Sequence, residues 1–257
     1  MPDAVSDVFS ARHSVRDFLP DPVDPVLIEK ILADGLAAPS WSNTRPYKVA
    51  VVTGSVRDEI SRELHEHWDA LATLRFGSWW RRVLTALSGK AFPRSDFRVP
   101  LKNPSDLQPR RIALAKKLFG HIGIAREDVA RREREIGKNF SFFGAPVVLF
   151  VFARSRMGVY SPLDAGFFAQ NLLLSATHRG LGAVAQGFLA VWSGPVRKHL
   201  NVPPGYKLLF GISLGYPSDS PVNDFRPPDT RIEDITVTLK NGASSHTASA
   251  ESQETTR

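Results

Sequence analysis

Arg12, Ser14 and Arg16 bring two guanidinium groups and a hydroxyl together within five residues, with His13 among them. A guanidinium is a planar fork that suits phosphate, and serine adds a hydroxyl donor. A second polar stretch runs from Pro39 through Ser40, Trp41, Asn43 and Arg45 to Tyr47. Asn43 offers both a donor and an acceptor, as a ring edge with alternating polar groups requires. The two stretches read as two walls of a site for a phosphorylated cofactor with a polar-edged ring. Each also has an ordinary reading. Cations at a helix end complement its dipole, and for Arg12–Arg16 the two readings are even. Ser, Asn and Pro are common turn residues, and for Asn43 taken alone the turn reading is the stronger.

Other chemistry is thin. Gly180, Gly182 and Gly187 have the wrong spacing for a dinucleotide fingerprint, and they follow a helix instead of opening one. Gly187, after Gln186, would let backbone approach a flat ligand. His65 and His67 are two apart on a helix and do not share a face, so they read as solvent-facing and not as a metal site. No metalloprotease, phosphate-loop or nucleophile-elbow motif occurs, and no metal site is expected. The absence of cysteine excludes disulfides, thiolate metal ligands and cysteine nucleophiles. Arg226 could meet a phosphate or be a lone surface charge. Trp79, Trp80, Phe119, Phe140, Phe142 and Phe143 suit either a core or the stacking of a planar substrate.

These groups need positioning elements. A short helix over 3–9 carries Val5, Val8 and Phe9 on one side. Asp24-Pro25 caps a helix with Ile28, Ile31, Leu32 and Leu36 at helical spacing, ended by Pro39. Lys48–Thr53 reads as a strand. A long helix follows, with a stripe of Ile60, Leu64, Trp68, Leu71 and Leu74. Pro146–Ala153 and Leu208–Leu214 read as strands buried on both faces. Pro162–His178 is apolar nearly all round and should be central. Ala183–Val191 passes through Gln186-Gly187, and Val196–Leu200 reads as a short helix. Ile235–Leu239 alternates as a final strand, and 241–257 reads as a disordered tail. Together these indicate one α+β domain over 1–240 with a central sheet.

Charge singles out one segment. The net charge is +7, yet residues 75–138 hold 16 Lys/Arg against 6 Asp/Glu. Such asymmetry can signal nucleic acid, membrane surface or anionic ligands, but a solvated helical surface is the favoured reading for most of these residues. This segment reads as a partly helical insertion. The longest apolar run, Ala145–Ala153, is far below the ~18 residues of a membrane span. With no signal peptide visible, a soluble cytoplasmic protein without nucleic-acid or membrane partners is expected.

The pieces occur in the order seen in the nitroreductase family. Arg12-His13-Ser14-x-Arg16-x-Phe18 resembles its N-terminal segment. Ala38-Pro39-Ser40-x-x-Asn43-x-x-Pro46-Tyr47 resembles its polar loop. Asp164–Gly182 resembles the central helix and its glycine exit, and Leu208–Pro217 with Arg226 resembles the late turn and arginine. The resemblance covers roughly 8–55 and 144–240. It implies a three-layer α-β-α fold with a central, mainly antiparallel sheet, and a homodimer with FMN at the interface. Carried over by position, Arg12, His13, Ser14, Arg16, Pro39, Ser40, Asn43, Arg45, Gln186, Gly187 and Arg226 would bind the cofactor. Trp41, Trp79, Trp80, Phe119 and Phe142 would line the substrate pocket. The final strand would reach the partner subunit.

The activity implied is FMN-dependent transfer of electrons from NADPH or NADH to nitroaromatic, quinone or similar aromatic acceptors, by a ping-pong route. The flavin would carry the chemistry, so no catalytic acid–base pair is required. Alternatives are a flavin-cleaving or reductive dehalogenating relative, a non-catalytic flavin-binding protein, or a nucleic-acid-binding module. Arg45 departs from the family's usual glutamine, Gln186 stands where some members have glutamate, and Asp229 falls where relatives often have a basic residue. The insertion at 75–138 carries no motif to transfer. Its charge beside Trp79 and Trp80, including Arg81 and Arg82, would suit a lid favouring NADPH or anionic aromatic substrates.

Overall fold

The structure, a computed structural model, describes residues 4–97 and 103–237. The chain divides into a compact unit, Met1–Arg226, and a second, Pro227–Arg257. In the first unit, strands β1 (Tyr47–Thr53), β2 (Val147–Arg154), β3 (Gly182–Gln186) and β4 (Tyr206–Gly215) form an antiparallel sheet in the order β1-β2-β4-β3.

β2 is central, and seven of its eight residues are buried. Its side chains alternate between two cores, as the pleat demands. Val148, Phe150 and Phe152 face a cluster with Ile60, Leu64, Trp68, Phe140 and Trp192. Val147, Leu149 and Val151 face another with Ile28, Ile31, Phe168 and Leu172. Helices therefore cover both sheet faces. On one lie α3 (Gly54–Phe76) and α8 (Ser193–His199); on the other lie α2 (Pro25–Gly35) and α7 (Tyr160–His178). Asp24 caps α2 by accepting from Val26 N–H at 2.9 Å, and Pro25 opens the helix, as the sequence indicates.

The region after α3 is helical in pieces. It contains α4 (Trp79–Ser88), α5 (Gln108–His121) and α6 (Val129–Gly137), then a 3₁₀ stretch over Lys138–Gly144. The segment between α4 and α5 is pinned by Asp96. Its carboxylate receives Ser193 Oγ at 2.8 Å, Leu208 N–H at 2.8 Å and the Arg197 fork.

The short first helix, α1 (Ala4–Ala11), forms where the sequence indicates and leaves Val5 and Phe9 exposed. Three expectations change. α7 is apolar all round in sequence, but Leu163 and Phe167 stand exposed on its outer side, since the sheet and α2 cover only one face. His65 and His67 are half-buried instead of solvent-facing, because aromatic neighbours take them up. The His67 ring stacks on Trp192 at 5.5 Å, and His65 meets Phe140 edge-on. Residues 235–237, expected to begin a strand, follow a 3₁₀ turn over Ile232–Asp234 and pair with no strand among the described residues. Positions 238 and 239 of that strand, and the tail 241–257, lie outside the described residues.

Candidate functional site

The segment carrying Arg12–Arg16 docks as a short extra edge beside β3. Ser14 bridges Ala183 in parallel, and Val15 N–H donates to the Ala183 carbonyl at 3.2 Å. Glycine at 182 permits this approach. A Cβ there would sit 2.7–2.9 Å from the Val15 side chain, closer than real contacts allow. Val15 itself is buried and anchors the segment.

Asn223 locks the same segment from the other side. Its Oδ1 accepts Arg16 N–H at 2.8 Å, and its Nδ2 donates to Asp17 O and Ser218 O at 2.8 and 2.9 Å. This buried amide brings the loop that carries Arg226 to the cationic segment. Sequence reasoning passed over Asn223, although it stands three residues before Arg226 in a stretch already singled out. An asparagine in a loop carries no sign of a partner 207 residues away.

Among the described residues, the arginines gathered here lack counter-ions. Arg16 bonds only the Ser14 carbonyl with its side chain, at 3.3 Å, and burial pushes its pKa down from the ordinary value. Arg226 donates to the carbonyls of Asn223 and Phe225. Neither these two nor Arg12 pairs with a carboxylate among the described residues. A desolvated guanidinium with no negative partner favours an incoming anion. His13 turns its Nδ1 to the Ala11 carbonyl at 2.8 Å.

Next to Arg16 is a cavity of about 180 Å³, lined by Phe119, Glu135, Asn139, Phe143, Ala185 and Gln186 among others. Gln186 is buried, with its amide fully engaged. Nε2 donates to Asn139 O and Oδ1, and Oε1 accepts from Ser213 Oγ. Its side chain is thus committed to the fold, while Gly187 beside it faces open space.

The Pro39–Tyr47 stretch lies elsewhere. Ser42, Asn43 and Arg45 all take positive φ (50°, 55° and 43°), uncommon for non-glycine residues. Such strain persists only where surrounding bonds impose it, and it gathers at functional sites. Here Trp41 N–H donates to the buried Asp164 carboxylate at 3.0 Å, and Arg45 N–H donates to Ser40 Oγ at 3.0 Å. The Trp41 ring stacks on Tyr160 at 4.6 Å. Pro39, Asn43 and Arg45 are exposed, and Arg45 pairs with no carboxylate among the described residues.

The two stretches do not meet within one chain. Ser14, Ala183, Leu214, Val147 and Thr53 form one row across the sheet. Tyr47 is at the far end of β1 from Thr53. Ordinary strand spacing and rise separate Ser14 from Tyr47 by about 19 Å across the sheet and about 20 Å along it.

The five aromatics expected around a substrate are also dispersed. Phe119 lines the cavity beside Arg16. Trp41 is exposed on the strained loop, and Trp79 and Trp80 are exposed on α4, 78% and 51% accessible. Phe142 corrects the expectation. It is 1% accessible and packs edge-on against Phe150 in the sheet core, so it cannot touch a substrate.

Comparison with known proteins follows the same outline. The family model described as "Nitroreductase family" matches residues 9–78 and 87–216. The break between those blocks falls on α4. A 4-nitrobenzoate reductase of Pseudomonas putida is 33% identical over 88% of this chain and 91% of its own length. A nitrobenzene nitroreductase of Ectopseudomonas oleovorans is 30% identical over 91% of this chain and 96% of its own. Among solved structures, the FMN-dependent nitroreductase NfnB from Mycobacterium smegmatis, in complex with NADPH, superposes with a TM-score of 0.78. It is 29% identical, and the match covers 92% of this chain and 98% of that one.

Proposed function

The chain belongs to the nitroreductase family, and from that premise we propose a homodimeric FMN enzyme that passes electrons from NADPH or NADH to nitroaromatic or quinone-like acceptors. The observation that carries the reading is the separation of the two polar walls. Each presents unpaired cations, yet they sit at opposite corners of one sheet. A second copy, related by a two-fold axis, supplies the missing wall to each site. The exposed stripe of Tyr160, Leu163 and Phe167 on α7, continuous with Trp41 through the Trp41–Tyr160 stack, is the apolar surface such a pairing would cover.

The residues present fit FMN. Arg12, Ser14, Arg16 and Arg226 would supply a cationic wall whose arginines pair with no carboxylate among the described residues, suited to its phosphate and the electron-rich edge of its ring. Gly187 leaves room for backbone to approach a flat ring. Asn43 from the other copy supplies an amide partner for the pyrimidine edge, and Ser40 adds a hydroxyl beside the flavin. FMN, when bound, supplies the hydride and electron chemistry. The chain's part is to bind, orient and exclude water. Asn223 fixes the height of Arg16. Asp164 holds the strained loop in place. Gln186, clamped by Asn139 and Ser213, sets the backbone beside Gly187. Acceptor and reduced nicotinamide would share the space over the ring in turn, the ping-pong arrangement. A cytoplasmic setting goes with this reading.

The test is optical. Purified protein should be yellow or become so with FMN, and should bleach anaerobically with NADPH or NADH. A colourless protein that takes up no FMN overturns the proposal.

A further inference from the structure

The insertion holds a cleft that the flavin site does not use. It has a volume of about 510 Å³ and lies between α5 and the segment leading into α6. Arg111, Lys116, Arg126 and Arg132 line it, with Ile112, Ala115, Phe119 and Ile124 as the apolar remainder. No acidic residue lines it, and none of the four cations pairs with a carboxylate among the described residues. Arg132 is the anchor. Its guanidinium lies 5.0 Å from the Phe119 ring centre, its Nη1 donates to the Arg126 carbonyl at 3.1 Å, and its buried Nε has no hydrogen-bond partner among the described residues.

Four uncompensated cations around one cleft repel one another and favour an anion of more than one charge. The apolar side and the ring favour a flat, uncharged group attached to that anion. Arg111, Lys116 and Arg126 are exposed, but a solvated charge run needs neither their convergence with Arg132 on one cleft nor the unpartnered Nε. Position narrows the ligand further. Phe119 lines both this cleft and the cavity beside Arg16 and Gln186, so the two spaces adjoin at that residue.

We propose that this cleft binds the adenosine 2′-phosphate end of NADPH, with Arg111, Lys116, Arg126 and Arg132 selecting NADPH over NADH. The inference rests on the proposed nicotinamide-dependent function and deepens it by naming the specificity residues. The adenine packs on the Phe119 side of the cleft, the 2′-phosphate meets the cations, and the nicotinamide end reaches past Phe119 toward Gln186-Gly187.

The test is calorimetric titration of the protein, with and without FMN, using adenosine 2′,5′-bisphosphate and 5′-AMP as probes. The bisphosphate should bind about tenfold or more tightly than AMP, as one extra charge-assisted phosphate contact warrants. Arg111→Ala and Arg126→Ala should each reduce that difference, while Arg111→Lys retains most of it. In steady-state assays the ratio of kcat/KM for NADPH over NADH should fall about tenfold in the alanine variants. Equal affinity for the two probes, or bisphosphate binding unchanged in both alanine variants, overturns the inference. So does tighter binding of 4-nitrobenzoate or duplex DNA than of the bisphosphate, lost in the same variants. FMN uptake in the same samples separates the two readings. Uptake without bisphosphate selectivity sinks this inference alone, whereas absence of uptake sinks the flavin function.

Discussion

The Asn223 side chain and the Arg16 backbone are joined by a 2.8 Å hydrogen bond that ties the N-terminal cationic segment to the loop of Arg226. One buried amide makes three bonds there, so its loss strands Arg16 N–H and two carbonyls. Asn223→Ala should cost about 1–3 kcal/mol of stability and weaken FMN binding about tenfold or more. Asn223→Asp should be worse, because a carboxylate oxygen would then face the Asp17 and Ser218 carbonyls. Urea unfolding and flavin-fluorescence titration check both. FMN affinity unchanged in Asn223→Ala would show that the staple does not position the site.

Gly182 and Val15 share a space that holds one of them at full size. Gly182→Ala should push the 12–16 segment off β3 and lower FMN affinity together with stability, the latter by about 1–3 kcal/mol. Adding Val15→Ala removes the clashing methyls, so the double variant should recover part of the loss. A double-mutant cycle measures the coupling, and strict additivity would contradict it.

Two-chain construction makes a genetic prediction. Arg16→Ala and Asn43→Ala homodimers should both bind FMN poorly. Co-expressed, they should yield heterodimers with one intact site each, recovering about a quarter of wild-type flavin content by random pairing. Recovery no better than the average of the two homodimers would rule out sites shared between subunits.

Asp96 gives a pH signature. Burial pushes its carboxyl up, but hydrogen bonds from Arg197, Leu208 N–H and Ser193, with the Arg197 charge, outweigh this and hold it below the usual range. A depressed carboxyl contributes stability that is complete above the unfolded value of about 4 and fades as pH falls through the lower folded value. Asp96→Asn should therefore lose stability near pH 7, by about 1–2 kcal/mol once solvent screening of this partly exposed pair is allowed for. The gap from wild type should narrow below about pH 4. Unfolding midpoints across that range provide the check, and a constant gap would exclude the carboxylate as the cause.

Tyr47 offers the opposite case. Its hydroxyl is buried without a partner among the described residues, and burial raises its pKa, offset in part by the Arg45 charge. The ring stacks on Phe168 at 4.6 Å. Tyr47→Phe keeps the stack and removes the orphaned group, so it should raise stability by about 1 kcal/mol. A lowered melting temperature would mean that the hydroxyl has a partner after all.

Much of this was readable from residue order. The run Pro146–Ala153 announced a doubly buried strand because no polar residue interrupts it, and Asp24-Pro25 announced a helix start by its cap. Periodicity could not tell which face of α7 is covered, since Leu163 and Leu172 look alike in sequence yet only Leu172 meets the sheet. It could not place Phe142 in the core either, because a left-handed backbone at Phe142 and Phe143 turns that pair inward. The cationic segment and the polar loop were visible by composition. Their distance was not, because β-sheet order is set by pairings between residues far apart in the chain, such as Tyr47 with Ala153 and Ser14 with Ala183. The charge of the insertion was visible too, but its concentration around Phe119 depended on the turn that brings Arg132 of α6 over that ring.

The far-corner placement of the two walls has a consequence for handling the protein. If each flavin touches both chains, cofactor affinity belongs to the pair and varies with protein concentration. Dilution would strip flavin by separating subunits, and added FMN would draw subunits together. Flavin content measured at one concentration would then describe an assembly equilibrium as much as a pocket.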